Sequence, residues 1–226
     1  MGLLNENSLA GTVDAVNAAS FYGAKPSRTE RSEAANWIAG RQGLPGSYAD
    51  MFAMTDSDRA EGVRIFTGDA IGSGGGARHI LGEEACRALL LLGVRAPAVR
   101  NALERATAGM TERLLRYSLD TGKYCCGRCT PAVWRHITAG GLRDAQPERL
   151  LKAGMQSLKA ARLGTGKWRF FPFWYALLAL SETDLPAAVE EMRFAAPALE
   201  RSLKRAAQDE YGRRRRLLAE RVLAKC

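Results

Sequence analysis

Histidine and long apolar runs are both scarce in this sequence. With two histidines in 226 residues, a catalytic base has to be His79, His136 or a carboxylate. The apolar runs at residues 88–92 and 176–180 are far shorter than the roughly 18 residues of a membrane-spanning segment. Residues 1–10 contain Asn, Glu and Ser rather than a basic stretch followed by an apolar one, which is unlike a secretory signal. We therefore expect a soluble, cytoplasmic protein and not an integral membrane protein.

Two common catalytic motifs are also missing. A nucleophile elbow needs Gly-x-Ser-x-Gly, but Ile71 stands where its first glycine should be, which argues against a hydrolase triad. The glycine-rich segment 67–76 has no Gly-Lys-Ser/Thr ending and so is not a P-loop. Glycine-rich backbone followed by Arg78 at a helix start can hold an anion, whereas a plain flexible loop has the same composition. Both interpretations of this segment stay open.

The net charge of +9 and the isoelectric point of about 9.6 allow two interpretations. A basic protein can bind an acidic partner, such as nucleic acid or a phosphorylated ligand. Much of the excess lies near the C-terminus, in the arginine run at residues 213–216 and in neighbours such as Arg201 and Arg205. Such a run is equally typical of the solvated face of a helix. We predict a basic C-terminal helix at residues 198–226, with nucleic-acid binding as one alternative.

Apolar residues recur at helical spacing along most of the chain, and nothing alternates with period two for long enough to indicate a sheet. Ser27 and Glu30 form a capping-box pattern. Pro97 and Pro147 stand where helices are expected to begin. The sequence therefore predicts an all-α fold. We expect one α-helical repeat domain spanning residues 1–226, with a looser N-terminal part at residues 1–26.

One short pattern occurs twice in the chain. The segments Leu119-Asp-Thr-Gly-Lys-Tyr124 and Leu163-Gly-Thr-Gly-Lys-Trp168 both place Thr-Gly-Lys and an aromatic residue between two apolar segments. A related pattern occurs at residues 41–48. A helix, a turn with glycine and an aromatic residue, and a returning helix together resemble the repeats of α/α-toroid proteins, the prenyltransferase and terpenoid-cyclase superfamily. The resemblance covers roughly half of the chain and implies an array of helical hairpins, either a partial α/α toroid or a curved α-solenoid.

The catalytic signatures of that superfamily do not carry over to this chain. Its cyclases use an Asp-x-Asp-Asp acid, whereas the nearest string here runs Asp56-Ser-Asp-Arg59 and occupies a good helix-capping position. The scattered zinc ligands of its protein prenyltransferases cannot be aligned with this sequence. The resemblance therefore implies an architecture and leaves the activity open.

The strongest candidate for chemistry is the cysteine cluster at residues 125–129. Five cysteines, an odd number, do not indicate a disulfide framework, so we expect reduced thiols. Cys126 and Cys129 have the Cys-x-x-Cys spacing that lets two sulfurs contact one metal ion or form a small disulfide ring. One hypothesis is a zinc or iron–sulfur site made by Cys125, Cys126, Cys129 and His136. Besides His136, the residues left to complete a ligand set are His79, Cys86 and Cys226.

The same cysteines allow two other interpretations. Cys129 stands before an expected helix start with Arg128 beside it, which would favour its thiolate and suit a redox or nucleophilic role. The thiols can also be small, half-buried residues of a repeat turn. Cys86 is expected in the core because an apolar run surrounds it. His136 follows Trp134 closely in an expected helix and can equally be a hydrogen-bonded core residue.

Aromatic and basic residues cluster around the repeat turns. If the turns of a curved array meet on one face, the rings would line a concave pocket with cations at its rim, suited to an amphiphile with an anionic head. The alternative is that the rings fill space between helices. The residues concerned are Tyr124, Trp134, Trp168 and Phe173 for the pocket and Lys123, Lys167, Arg128 and Arg169 for the rim.

These observations lead to one preferred function and two alternatives. We predict a non-catalytic helical-repeat binding module whose concave aromatic and basic face binds an anionic or amphiphilic small molecule or a protein partner. One alternative is a small enzyme of isoprenoid or of thiol and metal chemistry that uses residues 125–129 and the aromatic pocket. The other is a basic helical array that binds nucleic acid. The sequence leaves the oligomeric state open.

Overall fold

The computed structural model describes residues 2–72, 74–204 and 208–226, and helices dominate this part of the chain. The prediction of an all-α fold is confirmed. The helices are α1 (Leu9–Tyr22), α2 (Arg28–Ala39), α3 (Asp56–Glu61), α4 (Gly74–Leu92), α5 (Pro97–Tyr117), α6 (Thr130–Thr138), α7 (Pro147–Ala160), α8 (Phe173–Glu182), α9 (Pro186–Leu203) and α10 (Glu210–Leu223). A 3-10 turn covers Arg143–Ala145, and two short strands, β1 (Arg162–Leu163) and β2 (Lys167–Trp168), form an antiparallel hairpin.

Local sequence signals account for several helix starts. The Ser27 side chain accepts from the backbone of Glu30, and the Glu30 carboxylate accepts from the backbone of Ser27, so the expected capping box is present. Pro97 and Pro147 occupy the first turns of α5 and α7, as predicted. Proline suits this position because its missing N–H would have no partner within the helix.

Helix α4 lies at the centre of the molecule. It packs against α1, α2, α5 and α6, while α8 packs against α6, α9 and α10. Cys86 is completely buried in α4, which confirms its predicted place in the core. Leu9 and Val13 of α1 belong to the same core, although the proposed division of the chain into a domain with a looser N-terminal part stays a prediction. Among the described residues, every helix is too short or too polar to span a membrane.

The two Thr-Gly-Lys turns take different structures. The first follows α5, where Gly122 has a φ of 58° and sits so close to α7 that a Cβ atom would lie 2.0 Å from the backbone nitrogen of Gly154. The second connects β1 and β2, where Gly166 has a φ of 78°. Both positions favour glycine because the left-handed region is unfavourable for other residues. The arrangement of the helices as a partial toroid or solenoid stays a prediction.

Two helices lie within the described part of the C-terminal region. Helix α9 ends at Leu203 and α10 begins at Glu210. Arg205, which the prediction of a basic helix at 198–226 includes, lies outside the described residues.

The arginine run at residues 213–216 is only partly solvated. Arg214 is buried and forms a two-pronged ion pair with Asp14 of α1, with both N···O distances at 2.7 Å. Arg215 donates to the backbone carbonyl of Thr67 at 2.7 Å. The first and last arginines of the run are exposed. Half of the run therefore anchors α10 to the rest of the molecule.

Candidate metal centre at the cysteine loop

Residues 124–129, here called the cysteine loop, are held in place by the helix that follows them. The Thr130 hydroxyl accepts from the backbone N–H of Tyr124 at 3.3 Å and donates to the carbonyl of Cys126 at 2.7 Å. One helical turn later, the Trp134 indole donates to the carbonyl of Gly122 at 2.9 Å. Hydrogen bonds from α6 thus hold both the loop and the turn before it, which gives the thiols defined positions.

The Cys129 thiol lies close to both of the other thiols of the cysteine loop. The Cys129 Sγ lies 3.2 Å from the Cys125 Sγ and 2.9 Å from the Cys126 Sγ. A disulfide would need an S–S separation of about 2.05 Å, and all three cysteines are free. Cys129 is buried, whereas Cys125 and Cys126 are exposed. The cluster is therefore anchored inside the protein and open at its outer edge.

A histidine from α4 completes the cluster. The Nδ1 atom of His79 lies 3.3 Å from the Cys125 Sγ, and its Nε2 atom lies 2.7 Å from a carboxylate oxygen of Glu83. His79 and Glu83 are four residues apart and so share one face of the helix. The ligand atoms of His79, Cys125 and Cys129 all lie within 4.8 Å of one another. These three residues are of metal-binding types, and their ligand atoms lie close enough together to contact one ion.

The environment of the cluster favours negative charge on Cys125 and opposes it on Cys129. Burial opposes a positive charge on His79, but the Glu83 carboxylate and the hydrogen bonds to Cys125 and Glu83 outweigh it and raise the pKa of His79. Burial raises the pKa of Glu83 despite the imidazole beside it. The hydrogen bond from Cys129, helped by His79, lowers the pKa of Cys125, and the same contact raises the pKa of Cys129. A cation would stabilise the deprotonated form of all three sulfurs.

Two aromatic rings and two unpaired polar atoms surround the imidazole. The Tyr48 ring stacks on His79 with 4.5 Å between ring centroids, and the Tyr124 ring lies 4.3 Å away. Among the described residues, neither the second carboxylate oxygen of Glu83 nor the Tyr124 hydroxyl has a hydrogen-bond partner. Such orphaned atoms are rare in buried positions and point to a bound water or ion.

The structure places His79, rather than His136, at the thiols. His136 is completely buried in α6, and neither of its ring nitrogens has a partner in the described part of the chain. Its ring packs so closely on Gly141 that a Cβ atom there would lie 2.2 Å away. Burial lowers the pKa of His136 to about 4, which keeps the ring neutral. Glu83 was not among the predicted residues, although the four-residue spacing from His79 is a signal that could have revealed it.

The aromatic and basic residues that were predicted to form one face lie in different parts of the structure. Trp134 and Trp168 are buried, and their indole N–H groups are satisfied, that of Trp168 by Glu191 at 2.8 Å. Buried indoles with a bonded N–H are typical of packing between helices. Apart from Trp134, the predicted residues form two groups. Tyr124, Lys123 and Arg128 lie in or beside the cysteine loop, while Lys167, Trp168, Arg169 and Phe173 lie at β2 and the start of α8.

A second polar cluster lies on another face of α4, around Glu84. One oxygen of Glu84 accepts from Arg135 and from the Tyr175 hydroxyl, both at 2.5 Å, and the other accepts from Asn17 at 3.0 Å. Glu182 likewise has partners on both oxygens, contributed by Arg135 and Arg87. We call these residues the Glu84 network: Asn17, Glu84, Arg87, Arg135, Tyr175 and Glu182.

No protein-family model matches this chain, and comparison with curated proteins and with solved structures found no significant match. Assignment of a function therefore rests on the geometry of the site.

Proposed function

We propose that the protein binds zinc at the cysteine loop, through Cys125, Cys129 and His79, with Cys126 as the fourth ligand. The observation that supports this most strongly is the orientation of His79, which turns one ring nitrogen to the thiols and the other to a buried carboxylate. Metal-binding histidines nearly always donate their second N–H to such a partner, which fixes the ring and makes it a better ligand.

The donor set favours zinc over other metals. Thiolate and imidazole ligands in tetrahedral sites are typical of zinc. Iron–sulfur clusters are usually held by four thiolates, whereas the described cluster offers three thiols and one imidazole. Because α4 supplies His79 and the segment between α5 and α6 supplies the sulfurs, a bound ion would join two parts of the chain and contribute to folding.

A dithiol redox centre is the second candidate function. It is favoured by the 2.9 Å separation of the Cys126 and Cys129 sulfurs. Oxidation would form one S–S bond and pass two electrons and two protons to an external disulfide, which would be reduced to two thiols. The two candidates use the same atoms, but they predict different contents of metal in protein purified without oxygen.

The other predicted functions have less support. A concave aromatic face loses part of its lining, because Trp134 and Trp168 are buried. Residues 213–216 offer less free positive charge to a nucleic acid, because Arg214 pairs with Asp14. A cytoplasmic location, which would keep the thiols reduced, remains our expectation.

Metal analysis of the full chain purified anaerobically tests the proposal. We expect about one zinc per chain, because one cluster of this kind occurs among the described residues, and an intense thiolate-to-metal absorption after exchange for cobalt. Cys129→Ser and His79→Gln should each lower the zinc content strongly. Three matched controls should keep it, because none of their side chains is hydrogen-bonded to the thiols or to His79: Cys86→Ala, Cys226→Ser and His136→Gln.

The same experiment distinguishes the competing assignments. Iron with a brown absorbance would show a cluster instead of zinc. Metal-free protein with a readily formed disulfide between Cys126 and Cys129 would support the redox centre. Zinc that survives both Cys129→Ser and His79→Gln would overturn the proposed ligand set.

A further inference from the structure

A pocket of about 580 Å³ opens beside the cysteine loop. Its walls come from the segment before α4, from the first turns of α4, from the loop itself and from residues 170–172. Its lining is mixed, and the large apolar side chains in it are those of Ile65, Ile71, Ile80 and Phe171. The volume lies in the range of small-molecule sites, and these four side chains offer contacts to an apolar chain.

One positive charge in the lining of this pocket has no partner among the described residues. Arg128 is exposed at the rim and has no hydrogen-bond or ion-pair partner among the described residues. The acidic residue of the lining, Asp69, is already engaged, because it accepts from the Thr67 hydroxyl at 2.6 Å and lies 3.9 Å from Arg215. An unpaired guanidinium beside an apolar pocket suits a carboxylate or phosphate, which it can bind through two parallel hydrogen bonds.

An exposed aromatic ring stands at the same mouth. Phe170 is 76% exposed, and its φ of 68° is unusual for a residue other than glycine. The cysteine loop and residues 170–172 are in close contact here, since a Cβ atom on Gly127 would lie 2.7 Å from the Phe170 carbonyl oxygen. Phe170 also borders a second pocket of about 600 Å³ that Lys123 and Arg128 line. A large apolar ring held in a strained conformation at a pocket mouth is a feature of binding sites.

We propose that this pocket binds an anionic amphiphile with a single apolar chain. The chain lies among the isoleucines and Phe171, the anionic head pairs with Arg128, and the Phe170 ring covers the chain where it leaves the pocket. The proposal goes beyond zinc binding and does not require it, although Cys126 and Cys129 form one wall of the pocket. An occupied pocket would therefore place the head group beside the proposed metal centre.

Three probes with the same chain and different heads test the proposal: decanoate, decyl phosphate and decanol, used below their micelle concentrations. Calorimetric titration of the full chain, with and without zinc, should show binding of decanoate or decyl phosphate. Arg128→Gln should weaken binding of the anion about 10- to 100-fold, as expected for loss of charge-assisted hydrogen bonds, and should leave decanol unchanged. Arg116→Gln, an exposed arginine on α5, is the matched control and should bind as the wild type does.

Phe170→Gly supplies an independent test. Removing an exposed side chain with positive φ should not lower the melting temperature of the free protein, but it should weaken binding of the probe. Which anion binds distinguishes a carboxylate ligand from a phosphate ligand. The proposal is overturned if neither anion binds the folded wild type, or if Arg128→Gln and Arg116→Gln bind the anion equally well. Zinc content is measured on the same samples, so failure of the metal site is recognised separately.

Discussion

Glu83 and Glu84 are neighbours on α4, and both are buried, yet their surroundings differ completely. Glu84 has partners on both carboxylate oxygens within the Glu84 network. Glu83 has a single partner, His79, and its other oxygen is unpaired among the described residues. The charge of Arg135, with that of Arg87, lowers the pKa of Glu84 in spite of its burial, whereas burial prevails at Glu83 and raises the pKa.

The different surroundings of Glu83 and Glu84 indicate different roles for the two glutamates. A buried charge is tolerated when hydrogen bonds and an opposite charge compensate for the lost water. The Glu84 network meets this condition for its carboxylates and connects α1, α4, α6 and α8. The cluster around Glu83 meets this condition only in part, because one carboxylate oxygen of Glu83 is unpaired among the described residues. Its outer edge consists of exposed thiols. We therefore infer that the first cluster holds the helices together and that the second is arranged for a bound ion.

The largest expected effect comes from removing Arg135, the cation of the Glu84 network that pairs with both glutamates. Arg135→Met should lower the free energy of unfolding by about 3–5 kcal/mol, because Glu84 and Glu182 would be left without their main partner. Urea denaturation with a chelator present measures this without a contribution from metal. Arg100→Met, which breaks an exposed pair with 3.7 Å between the charged atoms, should cost less than about 0.5 kcal/mol. Equal effects of the two substitutions would show that the network does not support the fold.

The next effect concerns the two glutamates themselves. Glu83→Gln should weaken zinc binding about 10- to 100-fold, because the partner that orients a metal-binding histidine would lose its charge. In the presence of a chelator, its unfolding free energy should stay within about 1 kcal/mol of the wild type, because glutamine can still accept from His79. Glu84→Gln should do the reverse, lowering stability while leaving zinc affinity unchanged. Competition with a colorimetric chelator measures the affinity. If Glu83→Gln and Glu84→Gln have the same zinc affinity, the two glutamates do not differ in their contribution to the metal site.

Local signals explain why the fold class was predictable. Capping residues, first-turn prolines and apolar spacing act within a few positions of the chain, as at Ser27 and Pro97. The two repeat turns show the limit of such signals. The same Thr-Gly-Lys sequence is followed by the cysteine loop in one place and connects two strands in the other, because the packing partners of Gly122 and Gly166 differ.

The candidate site was predictable only in part. The three cysteines are close in sequence, so their spacing revealed them. His79 lies 46 positions from Cys125, and no local pattern shows that α4 packs beside the cysteine loop. Sequence proximity favours His136 as the ligand, but its ring packs in the core beside Gly141. Contacts between distant segments depend on how whole helices pack against one another. The spacing of residues within one segment does not reveal that packing.

The smallest effect comes from one hydroxyl in each cluster. The Tyr175 hydroxyl donates to Glu84 at 2.5 Å, whereas the Tyr124 hydroxyl is buried without a partner among the residues that the structure describes. Tyr175→Phe should lower the free energy of unfolding by about 2 kcal/mol, as expected for a lost hydrogen bond to a charged group. Tyr124→Phe should change it by less than about 1 kcal/mol, since no described residue loses a hydrogen bond and the ring stays. Urea denaturation of metal-free protein measures both. A loss for Tyr124→Phe as large as that for Tyr175→Phe would mean that ordered water satisfies the Tyr124 hydroxyl, and the cluster around Glu83 would then be closed in the same way as the Glu84 network.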